Sequence, residues 1–193
     1  TQIHAEQWLP EGEIKAVLQI SHGVSEYVGR YAPFAEYLTE HGFAVIGGDH
    51  LGHGKSVAEG APRIFFGEQD GWKHVVDDVA RLRAIGKEKF PGVPYFILGH
   101  SMGSFVARLF LTKYAEDVDA AVIMGTAGRG APTGIALALA NLIIAFRGAR
   151  HRSGLLKRLA FSGYLKHCGK GCDPNAWLTR DAEIVKKYNA DKY

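Results

Sequence analysis

The sequence is poor in cysteine, in net charge and in long apolar runs, and each shortage excludes a class of protein. Two cysteines, Cys168 and Cys172, are too few for the disulfide framework of a small secreted domain. A net charge of +3 over 193 residues gives no basis for nucleic-acid binding. The most apolar run, Ile135 to Phe146, is shorter than the roughly 20 residues that cross a membrane. The composition therefore predicts a globular protein in which Cys168 and Cys172 are free thiols, with a local disulfide between them as the alternative.

Metal binding and secretion are not expected either. A site built on His167, Cys168 and Cys172 would need at least one further ligand and would have an unusual ligand spacing. Thr1 is not an initiator methionine, and no charged segment followed by an apolar stretch comes after it, so a secretory leader is not expected. Free thiols indicate a reducing compartment. These observations predict a cytoplasmic protein without a metal, and they leave its oligomeric state open.

Strand and helix patterns alternate along the first two thirds of the chain. This order predicts an α/β protein with a parallel sheet and right-handed crossovers. Ile3 to Leu9 alternates apolar and polar residues and precedes a turn, so it is interpreted as an arm of a hairpin. Buried strands are predicted at Ala16–Ile20, Phe43–Gly48, Tyr95–Leu98 and Ala120–Met124. Helices are predicted from Tyr31 to near Gly42 and over Trp72–Phe90.

The stretch around Ser101 has the pattern of a nucleophile elbow. Ser101 lies between Gly99 and Gly103, after an apolar strand and before a helical pattern. In such a turn the serine has a strained backbone, and the small residues on either side allow neighbouring backbone to come close. The pattern predicts that Ser101 is a nucleophile. The alternative is a structural turn that merely contains a serine.

A serine nucleophile also needs a base, an acid and amide donors for the oxyanion. The Met102 amide follows Ser101 at the start of the helix and is the first predicted donor. The second comes from the loop after an earlier strand, where His22, Gly23 and Val24 stand. Gly23 permits a tight turn, so the Val24 amide is the predicted second donor. His22 is predicted to stabilise this loop and not to act as the base.

The loop after Asp49 is rich in glycine but does not match a phosphate-binding loop. That motif needs a glycine five positions before Gly54, and Asp49 occupies the position. A tight turn at the carboxyl end of a strand is the simpler interpretation. It places His53 and its neighbours at the edge where open α/β sheets bind ligands.

Three of these segments together resemble the monoacylglycerol lipase and lysophospholipase branch of the α/β-hydrolases, which is grouped with the serine aminopeptidase S33-type hydrolases. The resemblance covers Ile3 to about Ala127. It implies a mostly parallel sheet with flanking helices and an inserted helical cap, and hydrolysis of monoacylglycerol or lysophospholipid esters through an acyl-enzyme at Ser101. It implies no cofactor. The residues that carry the resemblance are also those for which it implies supporting roles in the site. They are His22, Gly23, Glu26, Asp49, His53, Gly99, His100 and Gly103.

The acid and the histidine of the triad are expected beyond this chain. In that fold they follow later core strands, and nothing after Met124 predicts such a strand. Residues 1–127 are therefore interpreted as the amino-terminal part of the core, without its carboxyl-terminal part. Residues 128–193 are interpreted as a helical cap, with a further helix at Trp177–Tyr188. The isolated chain is expected to be inactive.

The cap and the activity each leave alternatives open. The apolar run from Ile135 is either a buried structural helix or a helix that meets a lipid-like substrate, with the basic residues after it at a membrane surface. The activity could also be that of a peptidase or small-ester esterase of the same fold. A non-catalytic protein that uses the pocket for ligand binding is the third hypothesis.

Overall fold

The computed structural model describes residues 2–128, 133–161, 163–168 and 171–192. The chain separates into two compact units, Thr1–Gly130 and Ala131–Lys192. This division lies close to the predicted boundary at residue 127. The interpretation of the second unit as a cap stays a prediction.

The first unit is built on a five-stranded sheet with the order β1-β3-β2-β4-β5. All neighbouring strands are parallel except β1, which runs antiparallel to β3. The central strand is β2, where Val17 pairs with Ala44 on one side and Tyr95 on the other. The predicted mostly parallel sheet is confirmed. The strands are β1 (Ala5–Trp8), β2 (Ala16–Ser21), β3 (Phe43–Gly48), β4 (Tyr95–His100) and β5 (Ala120–Met124).

Three helices flank this sheet: α1 (Ala32–Glu40), α2 (Gly71–Lys89) and α3 (Met102–Tyr114). Helix α1 carries a proline in its first turn and ends before Gly42, whose φ of 89° an L side chain rarely adopts. Helix α2 buries Val75, Val76 and Val79 in a cluster with Ile97 and residues of α3. Each buried valine stabilises the fold by about 1.5 to 3 kcal/mol. This packing fixes α3, and with it the turn at Ser101, on the sheet.

The second unit contains α4 (Thr133–Arg147), α5 (Gly154–Phe161) and α6 (Ala182–Ala190). None of the helices among the described residues combines the length and apolar character that a membrane crossing requires. The helix predicted at Trp177–Tyr188 begins later than expected. Its start is fixed by the Asp181 side chain, which accepts hydrogen bonds from the amides of Glu183 and Ile184.

Three predictions about the first unit are wrong. Strand β1 does not form a hairpin with β2, because β2 is paired on both sides, and β1 takes the free edge of β3. Strand β5 is not buried: it is the other edge of the sheet, and Val122 is 50% exposed. Ile85 does not join the buried face of α2. Gly86 is buried there instead, because its missing side chain leaves room for Tyr95.

Candidate active site at the carboxyl ends of the strands

Ser101 occupies the turn between β4 and α3 with φ 50° and ψ −117°. A residue with a side chain rarely adopts a positive φ, so the surrounding structure must hold this conformation. One constraint is the Ser101 amide, which donates a hydrogen bond to the Met124 carbonyl at 2.9 Å. Another is Ser104, whose hydroxyl donates to the Ser101 carbonyl at 2.5 Å. The backbone at Ser101 is therefore fixed while the side chain remains half-buried.

Gly99 and Gly103 are required by close packing around this turn. A Cβ on Gly99 would lie 2.6 Å from the Gly103 carbonyl oxygen. A Cβ on Gly103 would overlap the carbonyl oxygen of Ser21, at the end of β2. The two glycines therefore let the first turn of α3 lie directly against the ends of β2 and β4. This is the reason for the small residues in the predicted elbow.

The two predicted oxyanion amides are available for hydrogen bonding. A Cβ on Gly23 would lie 3.2 Å from Ser101 Cβ, so the loop after β2 lies close to the serine. Within the described residues, neither the Val24 nor the Met102 amide donates a hydrogen bond. The turn at Ser101 thus has unused amides on the β2 loop and at the start of α3. Their role as oxyanion donors stays a proposal.

Glu26 connects this loop to the residue before Ser101. One carboxylate oxygen, Oε1, accepts hydrogen bonds from the Gly23 amide, from the Tyr31 hydroxyl at 2.9 Å and from His100 Nδ1 at 2.9 Å. Burial alone would raise the pKa of Glu26, but the hydrogen bonds from His100 and the Gly23 amide bring it below its ordinary value. The hydrogen bond to Glu26 raises the pKa of His100. The sequence did not predict a role for Tyr31, because its apolar spacing placed it on a helix face.

Three buried histidines, His22, His50 and His53, pack against one another next to the loop that follows β2. The His22 ring centroid is 4.4 Å from that of His50 and 5.4 Å from that of His53. Burial lowers the pKa of all three, to about 4 for His22. They are therefore neutral at pH 7. His50 was not predicted as a site residue, and only its place between Asp49 and the glycines could have indicated it.

Asp49 joins two loops through hydrogen bonds. Its carboxylate accepts the amide of Val28 and the amide of Lys55, each at 2.8 Å. Its side chain is buried, and a Cβ on Gly54 would overlap it. Asp49 thus stabilises these two loops through their backbone amides.

The neutral histidines predict a loss of stability in acid. Unfolding exposes His22, whose pKa then rises from about 4 to about 6.5, so the unfolded state binds a proton that the folded state does not. The contribution is present above pH 6.5 and is lost as the pH falls towards 4. We expect the His22 contribution to lower the free energy of unfolding by about 1.4 kcal/mol per pH unit in this range. Urea denaturation at pH 7, 6 and 5 measures this slope.

The matched variant for this prediction is His22→Asn. It should reduce the number of protons taken up on unfolding by about one, and the pH dependence of the unfolding free energy should become correspondingly less steep. His100 acts in the opposite direction, because its raised pKa stabilises the fold below pH 6.5. An unfolding free energy that stayed constant from pH 7 to pH 5, or a slope unaffected by His22→Asn, would contradict the assignment of neutral histidines.

The sheet order, the strained turn after β4 and the α3 helix that follows it define an α/β-hydrolase fold. Residues 12–193 match the family model described as serine aminopeptidase, S33, and the chain belongs to this family. The predicted resemblance to the monoacylglycerol lipase branch is confirmed by relatives. A monoglyceride lipase homolog of Monkeypox virus is 41% identical over 107 residues, 55% of this chain and 37% of the relative. Human monoglyceride lipase is 39% identical over 103 residues, 53% of this chain and 32% of the relative.

Solved structures share the fold over almost the whole chain. A thermostable carboxyl esterase from Bacillus coagulans superposes with a TM-score of 0.90 at 26% identity, over 99% of this chain and 61% of the esterase. A monoacylglycerol lipase from Paleococcus ferrophilus superposes with a TM-score of 0.66 at 20% identity, over 100% of this chain and 63% of the lipase. The matches thus span about a third of these curated relatives and less than two thirds of these structures.

Proposed function

We propose that the protein is a serine hydrolase that cleaves carboxylic esters of lipid-like substrates, such as monoacylglycerol or lysophospholipid, through an acyl-enzyme at Ser101. The observation that carries the proposal is the strained turn at Ser101 with two unused amides beside it. Relatives named monoglyceride lipase support the ester class. No organic cofactor and no nucleic acid enters this proposal.

The site suggests the following chemistry. The Ser101 hydroxyl attacks the ester carbonyl, and the Val24 and Met102 amides stabilise the oxyanion that forms. Within the described residues the Ser101 hydroxyl has no hydrogen-bond partner. His100, its neighbour, is engaged by Glu26 through Nδ1. We therefore place the triad acid and the histidine base outside residues 1–193, and we expect the isolated chain to be inactive.

Metal chemistry is not part of the proposal. Among the described residues no group of three potential ligands has the geometry of a metal site. Cys168 and Cys172 are free thiols, and the side chain of His167 lies outside the described residues. The reaction as proposed needs only a serine, a base, an acid and amide donors.

The test is hydrolysis by the whole protein of 1-monoacylglycerol, of lysophosphatidylcholine and of an aminoacyl nitroanilide. The family's description as an aminopeptidase makes peptide cleavage the second candidate. Rapid ester cleavage with no nitroanilide cleavage would support the first function. Nitroanilide cleavage in preference to both esters would replace it with the second.

We also propose that helix α4 is a lid that meets a lipid. Its apolar side chains are not buried: Ile135 is 72% exposed and Phe146 is 80% exposed. Arg147 is its last residue, Arg150 and Arg152 follow it, and such a basic segment suits the anionic headgroups of a membrane surface. The proposal therefore includes peripheral contact of this helix with membrane, in a protein that is otherwise cytoplasmic.

Two variants distinguish the faces of α4. Ile144 is exposed, whereas Leu139 is half-buried. We expect Ile144→Ser to reduce kcat/KM for palmitoyl glycerol more than for acetyl glycerol, because each buried methylene contributes about 0.8 kcal/mol. Leu139→Ser should lower the melting temperature and reduce activity on both esters equally. If Ile144→Ser reduced both activities equally as well, the lid would not bind the acyl chain.

A further inference from the structure

A cavity of about 680 Å³ is lined by residues of α2, β1, β2 and the end of β3. Ligand pockets in proteins typically have volumes of roughly 300 to 1,000 Å³. Among the described residues that line the cavity, none belongs to the turn at Ser101 or to the loop with Gly23 and Val24. The first unit therefore contains a second candidate site, which is built from residues of its own.

One face of α2 forms part of the cavity wall. Its lining residues are three or four positions apart, so they lie side by side on the helix surface. They are Asp78, Arg81, Leu82 and Ile85. Arg81 is exposed and Ile85 is 52% exposed, so this face can be reached from solvent. The exposure of Ile85, which does not join the buried face of α2, is explained by its position at the cavity.

Gly48, the last residue of β3, leaves part of the cavity free of a side chain. A Cβ on Gly48 would lie 3.5 Å from the Ile3 side chain and 3.6 Å from that of Leu82, which are ordinary van der Waals distances. The φ angle of Gly48 is not positive. Neither close packing nor backbone conformation therefore requires a glycine here, in contrast to Gly99 and Gly103. The glycine leaves space between the sheet and α2.

Two opposite charges in the cavity wall have no partner within the described residues. The half-buried carboxylate of Asp78 accepts no hydrogen bond there and forms no ion pair, with Arg81 or with any other group. Burial raises the pKa of Asp78 above its ordinary value. The Arg81 guanidinium likewise forms no hydrogen bond and no ion pair with a described residue. Lys55, by contrast, is engaged, because its Nζ lies 3.3 Å from Glu6 Oε1.

A zwitterion with an apolar side chain complements this wall. Its ammonium group would pair with Asp78, and its carboxylate would pair with Arg81, which can donate two parallel N–H bonds to a carboxylate. Its side chain would lie against Leu82 and Ile85. A half-buried carboxylate without a partner costs free energy, and a bound cation offsets that cost. A ligand with only one charge would leave either Asp78 or Arg81 without a partner.

We propose that this cavity binds a free apolar α-amino acid, with Asp78 holding its ammonium group and Arg81 holding its carboxylate. The inference goes beyond the proposed ester hydrolysis and does not depend on it, because it involves neither Ser101 nor the two amides beside it. It assigns binding, and no chemical step, to this face of α2.

Calorimetric titration of the whole protein with L-leucine tests the proposal. We expect L-leucine to bind at least about fivefold more tightly than leucinamide, which lacks the carboxylate, or 4-methylpentanoate, which lacks the ammonium group. Affinity should also rise from L-alanine to L-leucine, by up to about fourfold for each methylene that becomes buried. Equal affinity for L-leucine, leucinamide and 4-methylpentanoate, or no binding of L-leucine at millimolar concentrations, would overturn the inference.

Two charge-removing variants assign the two ends of the ligand. Arg81→Gln should abolish the preference for L-leucine over leucinamide, and Asp78→Asn should abolish the preference over 4-methylpentanoate. Both variants should stay folded, because neither side chain has a partner to lose. Asp77→Asn is the matched control: Asp77 is exposed and does not line the cavity, so the Kd for L-leucine should change less than about twofold. Preferences that were unchanged in both charge variants would contradict the proposed contacts.

Ile85→Ala tests the apolar part of the site. It should reduce the gain in affinity from L-alanine to L-leucine, and an undiminished gain would place the ligand side chain elsewhere and overturn the inference. Hydrolysis of a chromogenic short-chain ester, measured on the same preparations, separates this inference from the proposed function. A protein that cleaved the ester without binding L-leucine would overturn this inference alone. A protein that bound L-leucine without cleaving any ester would refute the proposed function alone.

Discussion

Replacement of Ser101 by alanine should abolish labelling of the whole protein by a fluorophosphonate probe and reduce ester hydrolysis on the order of 10⁴-fold or more. The probe reacts with an activated serine hydroxyl, and the strained turn presents that of Ser101 beside two unused amides. Mass spectrometry of the labelled peptide identifies the modified residue. The fold should be retained, because the hydroxyl bonds to no described residue.

Ser104→Ala is the matched control for this result. Ser104 lies one turn along the same helix, and its hydroxyl donates to the Ser101 carbonyl. The variant should lose about 1 kcal/mol of stability and keep its labelling. Labelling that persisted in Ser101→Ala, or that disappeared in Ser104→Ala alone, would move the nucleophile away from Ser101.

Gly103→Ala should be the most destabilising single-methyl substitution in the first unit. The added Cβ would overlap the Ser21 carbonyl oxygen. Ser21 is the last residue of the central strand β2 and pairs with Gly99 of β4, so it cannot move without disturbing that pairing. We expect a loss of more than about 4 kcal/mol, or no folded protein at all. Urea denaturation followed by circular dichroism measures the change.

Gly12→Ala controls for the glycine-to-alanine change as such. A Cβ on Gly12 would meet nothing within 4 Å. Its effect should stay within about 0.5 kcal/mol. If Gly103→Ala were equally mild, the contact between α3 and β2 would be looser than the structure shows, and the alignment of the two amides would need another cause.

The parts of this fold that a local pattern specifies could be predicted from the sequence. Apolar runs bounded by turns gave the strands at Phe43–Gly48 and Tyr95–Leu98 nearly to the residue, because buried parallel strands are apolar on both faces. The elbow could be predicted because steric demands at a strained turn restrict its neighbours to small residues. The α/β class followed from the order of these elements.

The parts that depend on distant partners could not be predicted. The alternation of Ile3 to Leu9 indicates a strand but does not indicate which strand pairs with it. Strand β1 pairs with the edge of β3 that β2, at the centre of the sheet, leaves free. The hydrogen bonds among His22, His50 and Ser21 join separate loops, and no spacing in the sequence encodes them. The role of Tyr31 depends in the same way on where Glu26 and His100 meet.

The order of the strands also determines when the site can form during synthesis. Strand β2 pairs with β4, so Val17 has no partner on this side until the ribosome adds Tyr95, about 80 residues later. At about 5 to 20 residues per second this interval lasts several seconds, during which one edge of an apolar strand has no partner. The Ser101 turn exists only after that closure. Until β4 emerges, the nascent chain therefore exposes an apolar strand edge of the kind that promotes aggregation.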